Sequence, residues 1–317
     1  MTILVTGGAG FIGSNLTEAL LRQGHPVRVL DNFSTGRKEN LIFEKKYPLL
    51  ETMEGDICDL DVCRKAMRGI HTVYHEAAIP SVQQSVEDPS FSNSVNAGGT
   101  LNVLLAARDE GVKKLIYASS CAIYGEDPVL PKKEEMSPSP LSPYALQKYV
   151  GEKYCQLFFQ LYGLETLSLR YFNIFGPKQD PASVYSGVIA RFINALVEGS
   201  APIVYGDGEQ SRDFTYVGNV VQANLLAMSA HRLHGEVINI GCGKRTSLNE
   251  LFNVLKRILG SQAFPIYQEA RQGDVRHSVA DIQKGRERLN YSPEQDIEQG
   301  LNKTVEYFRG RAGKRGV

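Results

Sequence analysis

The apolar run Ile3-Leu4-Val5 leads straight into Thr6-Gly7-Gly8-Ala9-Gly10-Phe11-Ile12-Gly13, and residues 14–23 then repeat apolar positions at helical spacing through Leu16, Ala19 and Leu20. A strand, a glycine turn and a helix at the very start leave few folds open. The glycines at 7, 10 and 13 let the backbone approach a pyrophosphate, whose charge suits the positive end of the following helix. A second strand, Val27-Arg28-Val29-Leu30, ends at Asp31, eighteen residues after Gly13. A carboxylate there fits the hydroxyl pair of an adenosine ribose and repels a 2′-phosphate, so NAD is favoured over NADP.

The alternation continues. A third strand precedes Asp56-Ile57, which flanks the adenine side. Thr72-Val73-Tyr74-His75 is a fourth, followed by Glu76-Ala77-Ala78, whose small residues leave room for a cofactor. A long helix is expected over residues 92–110, a fifth strand over 115–119 and a sixth over 167–170. Strands alternating with helices predict an α/β fold, a doubly wound parallel sheet of the Rossmann kind, with ligands beyond the carboxyl ends of its strands. After residue 170 the alternation breaks. A smaller α/β lobe is expected from residues 171–214 and 244–317, with 215–243 returning to the first lobe, residues 1–170.

Ser142-Pro143-Tyr144-Ala145-Leu146-Gln147-Lys148 opens a further helix, running to about residue 162. Its tyrosine and lysine, four residues apart, share one helix face. An ammonium beside a phenol lowers the phenol's pKa, and a phenolate is a general base for an alcohol proton. Ser119-Ser120 ends the fifth strand on the same edge.

Composition narrows the partners. Lys+Arg and Asp+Glu are both 35, a balance that argues against nucleic-acid or membrane-surface binding. Apolar residues make up 42% and charged residues 22%, as in an ordinary globular protein. The five scattered cysteines suggest reduced thiols in a cytoplasmic protein, and none has a metal site's spacing. No apolar run reaches the length of a membrane span.

The glycine turn, the Ser120–Tyr144–Lys148 set and Arg170-Tyr171-Phe172-Asn173 resemble the extended short-chain dehydrogenase/reductase family over the whole chain. The subgroup most alike is the nucleotide-sugar 4-epimerases, in particular bacterial UDP-N-acetylglucosamine 4-epimerases. Leu141-Ser142-Pro143-Tyr144-Ala145, Ser211-Arg212-Asp213-Phe214 and Gly273-Asp274-Val275-Arg276-His277-Ser278 carry that likeness. The resemblance implies Tyr144 as the base, Lys148 on the nicotinamide ribose and Ser120 on the sugar O4. It implies NAD contacts from Gly7, Gly10, Phe11, Ile12, Gly13, Asp31, Asn32, Ser34, Thr35, Gly36, Asp56, Ile57, Ala77, Ala78, Asn96 and Tyr171. Asn173 and Arg212 would hold a UDP diphosphate, Tyr205 would stack on uracil, and Arg271 and Asp274 would hold the uridine. Ser81, Gln179, Gly187, Val188 and Ser278 would border the sugar. A homodimer through helices 92–110 and 145–162 is also implied.

The implied reaction is an NAD-dependent 4-epimerisation through a 4-keto sugar that turns over between oxidation and reduction. Related 4,6-dehydratases carry Thr-Asp-Glu where this chain has Ser120-Cys121-Ala122, so dehydration lacks its acids. Ser278 stands where hexose-restricted relatives have tyrosine, which leaves room for an N-acetyl group. UDP-N-acetylglucosamine and its C4 epimer are therefore expected, with UDP-glucose and UDP-galactose. Loop 80–85 departs from the subgroup pattern and keeps UDP-uronates open. A non-catalytic NAD-binding regulator is the remaining reading, and it sits poorly with a complete Ser120–Tyr144–Lys148 set.

Overall fold

The computed structural model describes residues 1–180, 187–270 and 275–315, the side chains of 44, 45 and 311–315 excepted. The first part of the chain forms strands β1 (Thr2–Thr6), β2 (Val27–Asp31), β3 (Leu50–Glu54), β4 (Ile70–His75), β5 (Lys114–Ser120) and β6 (Glu165–Tyr171). Between them lie helices α1 (Phe11–Arg22), α2 (Leu60–Met67), α3 (Val82–Glu87), α4 (Pro89–Asn93), α5 (Thr100–Asp109) and α6 (Pro143–Tyr162). The later part contributes β7 (Ile174–Phe175), β8 (Ile203–Tyr205), β9 (Ser211–Arg212), β10 (Thr215–Tyr216), β11 (His234–Ile240), β12 (Thr246–Ser247) and β13 (Ile266–Gln268). Its helices are α7 (Val188–Val197), α8 (Val217–Ser229), α9 (Leu248–Leu259), α10 (Gln283–Leu289) and α11 (Ile297–Arg315).

Seven strands make one parallel sheet in the order β11-β6-β5-β4-β1-β2-β3. The central strands are buried on both faces, and β1 and β5 carry the continuous apolar runs Ile3-Leu4-Val5 and Leu115-Ile116-Tyr117-Ala118 expected of a parallel sheet. One face packs on α1 and α8 through Leu16, Leu20, Val220 and Ala223. The other packs on α2, α5 and α6 through Cys63, Met67, Val103, Leu104 and Phe158. A separate core, with Phe192, Leu251, Leu255, Leu301 and Val305, joins α7, α9 and α11. β11 follows these residues' first segment in the chain, yet closes the large sheet beside β6.

Two local choices set up the site. Ser142 caps α6 by accepting from the Ala145 amide, Pro143 fills its first turn, and Gly163 ends it at φ 70°. This fixes where Tyr144 and Lys148 begin. The single helix expected over 92–110 is instead α4, a π-helical turn (Ser94–Gly99) and α5. Gly99 allows the break, because a Cβ there would lie 2.6 Å from Ile57 Cδ1. No helix among the described residues is long and apolar enough to cross a membrane.

Candidate active site

A cleft runs along the carboxyl ends of the central strands. Gly7, Gly10, Phe11, Ile12 and Gly13 line it at the β1–α1 turn, and Asp31, Asn32, Ser34 and Thr35 line it beyond β2. Asp56, Ile57, Ala77, Ala78, Tyr144, Lys148 and Tyr171 complete the predicted residues on its wall. The glycines are there for space. A Cβ on Gly7 would sit 2.7 Å from the Ala77 backbone, and one on Gly13 would sit 2.2 Å from the Gly7 carbonyl oxygen. Asp31 is held by the amides of Ala9 and Phe33 at 2.9 and 2.8 Å. Burial raises its pKa and those two amides pull it back. Arg37 is ion-paired with Asp180 and is thereby drawn away from a 2′-phosphate role.

Four predicted contacts among the described residues do not line a cleft: Ser120, Asn96, Gly36 and Ser81. The Asn96 carboxamide accepts from the Ile79 amide at 2.8 Å, and donates to the Ile79 carbonyl at 3.1 Å and to Gln147 at 2.9 Å. Its side chain is held by Ile79 and Gln147 and is not on the cleft wall. Gly36 packs against the Asp31 carboxylate, where a Cβ would come within 2.8 Å of both oxygens. Ser81 is buried as the cap of α3, accepting from the Gln84 amide.

A second cleft opens beside the first. Asn173, Gln179, Gly187, Val188, Tyr205, Arg212 and Ser278 all line it. Arg212 Nη1 is steadied by the Ser211 carbonyl at 3.0 Å, and the Ser278 amide by the same carbonyl at 3.1 Å. Asn173 adopts φ 39°, a left-handed conformation that asparagine tolerates better than most residues. Arg271 and Asp274 lie outside the described residues.

The clefts meet at the end of β5. Ser119 lines the first and Cys121 the second, with Ser120 between them. Ser119 is not available for chemistry: it donates to Glu152 at 2.6 Å, and Glu152 also takes a two-pronged ion pair from Arg170, both bonds 2.8 Å. Both side chains of that pair are 3% exposed. Glu152 lies four residues after Lys148, so this pair clamps α6 onto β5 and β6 and sets the catalytic face. The Ser120 hydroxyl acts on the Tyr144 phenol and lowers its pKa, and its oxygen accepts from the Ala122 amide at 3.2 Å.

The expected fall in the Tyr144 pKa is not what the chain alone produces. Burial pushes the phenol up to about 12, and the Ser120 hydroxyl only partly offsets it. Lys148 is 4% exposed and donates to the Ala118 carbonyl at 2.8 Å. Its ammonium lies 5.9 Å from the Tyr144 ring centre and 5.1 Å from that of Tyr117, and burial lowers its pKa to about 8. A desolvated lysine bonded to a carbonyl is a weak acidifier of a phenol. Burial likewise pushes the Cys121 thiol up to about 11, which disfavours a thiolate base there.

The profile of the NAD dependent epimerase/dehydratase family matches residues 3–241. The chain belongs to that family. It is an enzyme, and its cofactor is NAD. Three solved structures are similar to this epimerase-family chain. A UDP-glucose 4-epimerase from Thermotoga maritima, with UDP-glucose, is 42% identical, with a TM-score of 0.94 over 98% of this chain and 100% of that one. A UDP-N-acetylglucosamine 4-epimerase from Methanobrevibacter ruminantium, in complex with UDP-N-acetylmuramic acid, is 40% identical at 0.94 over 98% of both. A Thermus thermophilus UDP-glucose 4-epimerase in complex with NAD is 38% identical at 0.89 over 98% and 99%.

The first cleft fits NAD on its own evidence: a turn that no Cβ could enter, and a carboxylate held by two amides at the far end. Two residues of this epimerase-family site escaped the sequence reading. Glu152 was recognisable as a carboxylate four residues beyond Lys148 on the same helix face. Glu76 was recognisable as an acid one residue past the end of β4, on the edge where ligands bind.

Proposed function

We propose that this enzyme inverts C4 of a UDP-sugar, interconverting UDP-N-acetylglucosamine and UDP-N-acetylgalactosamine and also accepting UDP-glucose and UDP-galactose. The observation that carries the reading is the meeting of the two clefts at Ser120 and Tyr144. A sugar in the second cleft then presents its O4 to a phenol with a serine hydroxyl close by. Ser278 supports the N-acetyl choice, since a small side chain on that wall leaves width beside C2.

Gly7, Gly10 and Gly13 would cradle the NAD pyrophosphate, Asp31 the adenosine ribose, and Lys148 and Tyr171 the nicotinamide end. The chemistry supplied by bound NAD is uptake and return of hydride at C4, beside a positive ring charge that favours phenolate. Tyr144 takes the O4 proton and later gives it back, while Ser120 holds O4 in line. Asn173 and Arg212 hold the diphosphate while the 4-keto sugar turns its other face. The Glu152–Arg170 clamp keeps Tyr144 fixed through both half-reactions. Residues 1–170 with 215–243 form the cofactor lobe, and 171–214 with 244–317 the sugar lobe.

A second reading, a UDP-uronate 4-epimerase, draws on Lys132. This buried lysine lines the second cleft with its ammonium paired to Asp127 at 3.6 Å, a charge that a carboxylate at C6 would share. We also propose a homodimer through α6, whose Leu146, Leu157 and Leu161 are exposed along one side. The deciding experiment is turnover of plain, N-acetylated and uronate UDP-sugars by the purified protein without added reductant. Interconversion of the N-acetylhexosamine pair is expected. Turnover of uronates alone selects the second reading, and no turnover of any UDP-sugar with NAD present removes both.

A further inference from the structure

Glu76 stands on the wall of the first cleft together with Tyr144, Lys148 and Tyr171. The Tyr171 hydroxyl donates to its Oε1 at 2.8 Å, and Asn224 Nδ2 donates to that hydroxyl at 2.9 Å. The amide donor behind it leaves the phenol proton directed at the carboxyl. The Glu76 amide is bonded to the Thr6 carbonyl at 3.2 Å, which fixes the residue against β1. Lys148, from α6, is the cation that acts on it. The other groups near it are Tyr144 on α6, Tyr171 on β6 and Tyr74 on β4, and α8 offers only neutral Asn224. His75 is turned elsewhere, its two ring nitrogens held by Thr6 at 2.8 Å and Thr100 at 2.9 Å.

An amide in place of Glu76 would accept the Tyr171 bond equally well, so positioning alone does not require an acid here. What a carboxyl adds is charge. We propose that Glu76 biases this cleft toward the oxidised cofactor, whose nicotinamide ring is positive, over the reduced form, whose ring is neutral. The inference rests on the reading above, in which the nicotinamide end lies beside Tyr144 and Lys148. At that end the Lys148 ammonium would otherwise repel a positive ring. A cleft that prefers the oxidised form returns hydride to the keto sugar before the sugar escapes, as an enzyme that consumes no reductant requires.

The charge is poised to switch. Burial pushes the Glu76 carboxyl up to about 7, with the Tyr171 bond and Lys148 pulling it down. Below that pH the group is neutral and the bias is lost; above it the bias is present.

The test is binding of NAD and of NADH to the cofactor-free full-length protein, by calorimetry, at about pH 6 and about pH 8. Comparing the two dinucleotides cancels their shared diphosphate. In the wild type, preference for NAD over NADH should rise roughly fivefold or more between the two pH values. In Glu76→Gln most of the rise should be lost, the remainder coming from Lys148, whose ammonium gives up its proton toward about pH 8. Tyr171→Phe removes a bond that holds the carboxyl down, so the rise should move to higher pH. A flat wild-type ratio, a Gln variant that keeps the rise, or a rise unmoved in Tyr171→Phe each overturns the proposal. No UDP-sugar enters the measurement, so an error in the sugar leaves it intact, whereas a protein that binds neither dinucleotide overturns the cofactor placement as well.

Discussion

Gly13→Ala tests the glycine turn with a single methyl group. The new carbon would lie 2.2 Å from the Gly7 carbonyl oxygen, 2.9 Å from its carbonyl carbon and 3.0 Å from Gly8 Cα. Comfortable contact between such atoms begins at roughly 3.5 Å, so the turn must open by about 1 Å. All three obstacles are backbone and cannot rotate away. Retreat toward β4 is closed too, because Gly7 already abuts the Ala77 backbone. Overpacking costs about 1–3 kcal/mol, and obstacles that are all backbone put this case in the upper part, about 2–3 kcal/mol. The gain from placing alanine instead of glycine in a helix is about 1 kcal/mol, so the clash wins. The net loss should be about 1–2 kcal/mol, read by urea unfolding of the cofactor-free protein. NAD affinity should fall about tenfold or more, because the amides facing the diphosphate move with the turn. Gly310→Ala is the control: it also lies in a helix, α11, with nothing within 4 Å of its Cβ. It should be neutral or slightly stabilising. A Gly13→Ala protein as stable as the wild type, with unchanged NAD affinity, would refute the steric account.

Tyr144→Phe should lower kcat by roughly 10²–10⁴-fold with NAD still bound, and near-normal turnover would remove Tyr144 as the proton carrier. Ser278→Tyr should suppress turnover of N-acetylated UDP-sugars and spare UDP-glucose; equal loss on both would show that this wall does not set the width. Glu152→Gln leaves the Arg170 charge buried without its partner and should cost about 3–5 kcal/mol in chemical unfolding, against no more than about 1 if the pair were solvent-like. His75, whose pKa burial lowers to about 3, stays neutral in the fold while the unfolded chain takes a proton below about 6.5. Its contribution is therefore intact above that pH and lost as pH falls toward 3. His75→Gln should flatten this part of the stability curve, and an unchanged slope would contradict it.

The first lobe could be read from the sequence because its signals are local. Apolar runs, a glycine turn and a carboxylate at a strand end each need only a few neighbouring residues. Every strand predicted in residues 1–170 is present. The π turn at Ser94–Gly99 was not legible, since apolar periodicity does not distinguish it from the helix on either side. The division of labour between Ser119 and Ser120 was hidden because Glu152 and Arg170 are 18 residues apart and meet only in the folded core. The Tyr144 pKa was misjudged because helical spacing reports which side chains share a face. It does not report how much water they lose, and here desolvation outweighs the lowering by the Ser120 hydroxyl.

Asn96 has a consequence for how the enzyme admits its dinucleotide. It staples Ile79 on both its amide and its carbonyl and reaches Gln147 on α6, whose own amide grips Ser92. The segment bearing Ala77 and Ala78 and the helix bearing Tyr144 thus form one slab that cannot part locally. Entry must come over the opposite rim, where Asn32, Ser34 and Thr35 stand exposed. The Ile79 amide should accordingly be among the slowest in the molecule to trade its proton for solvent deuterium.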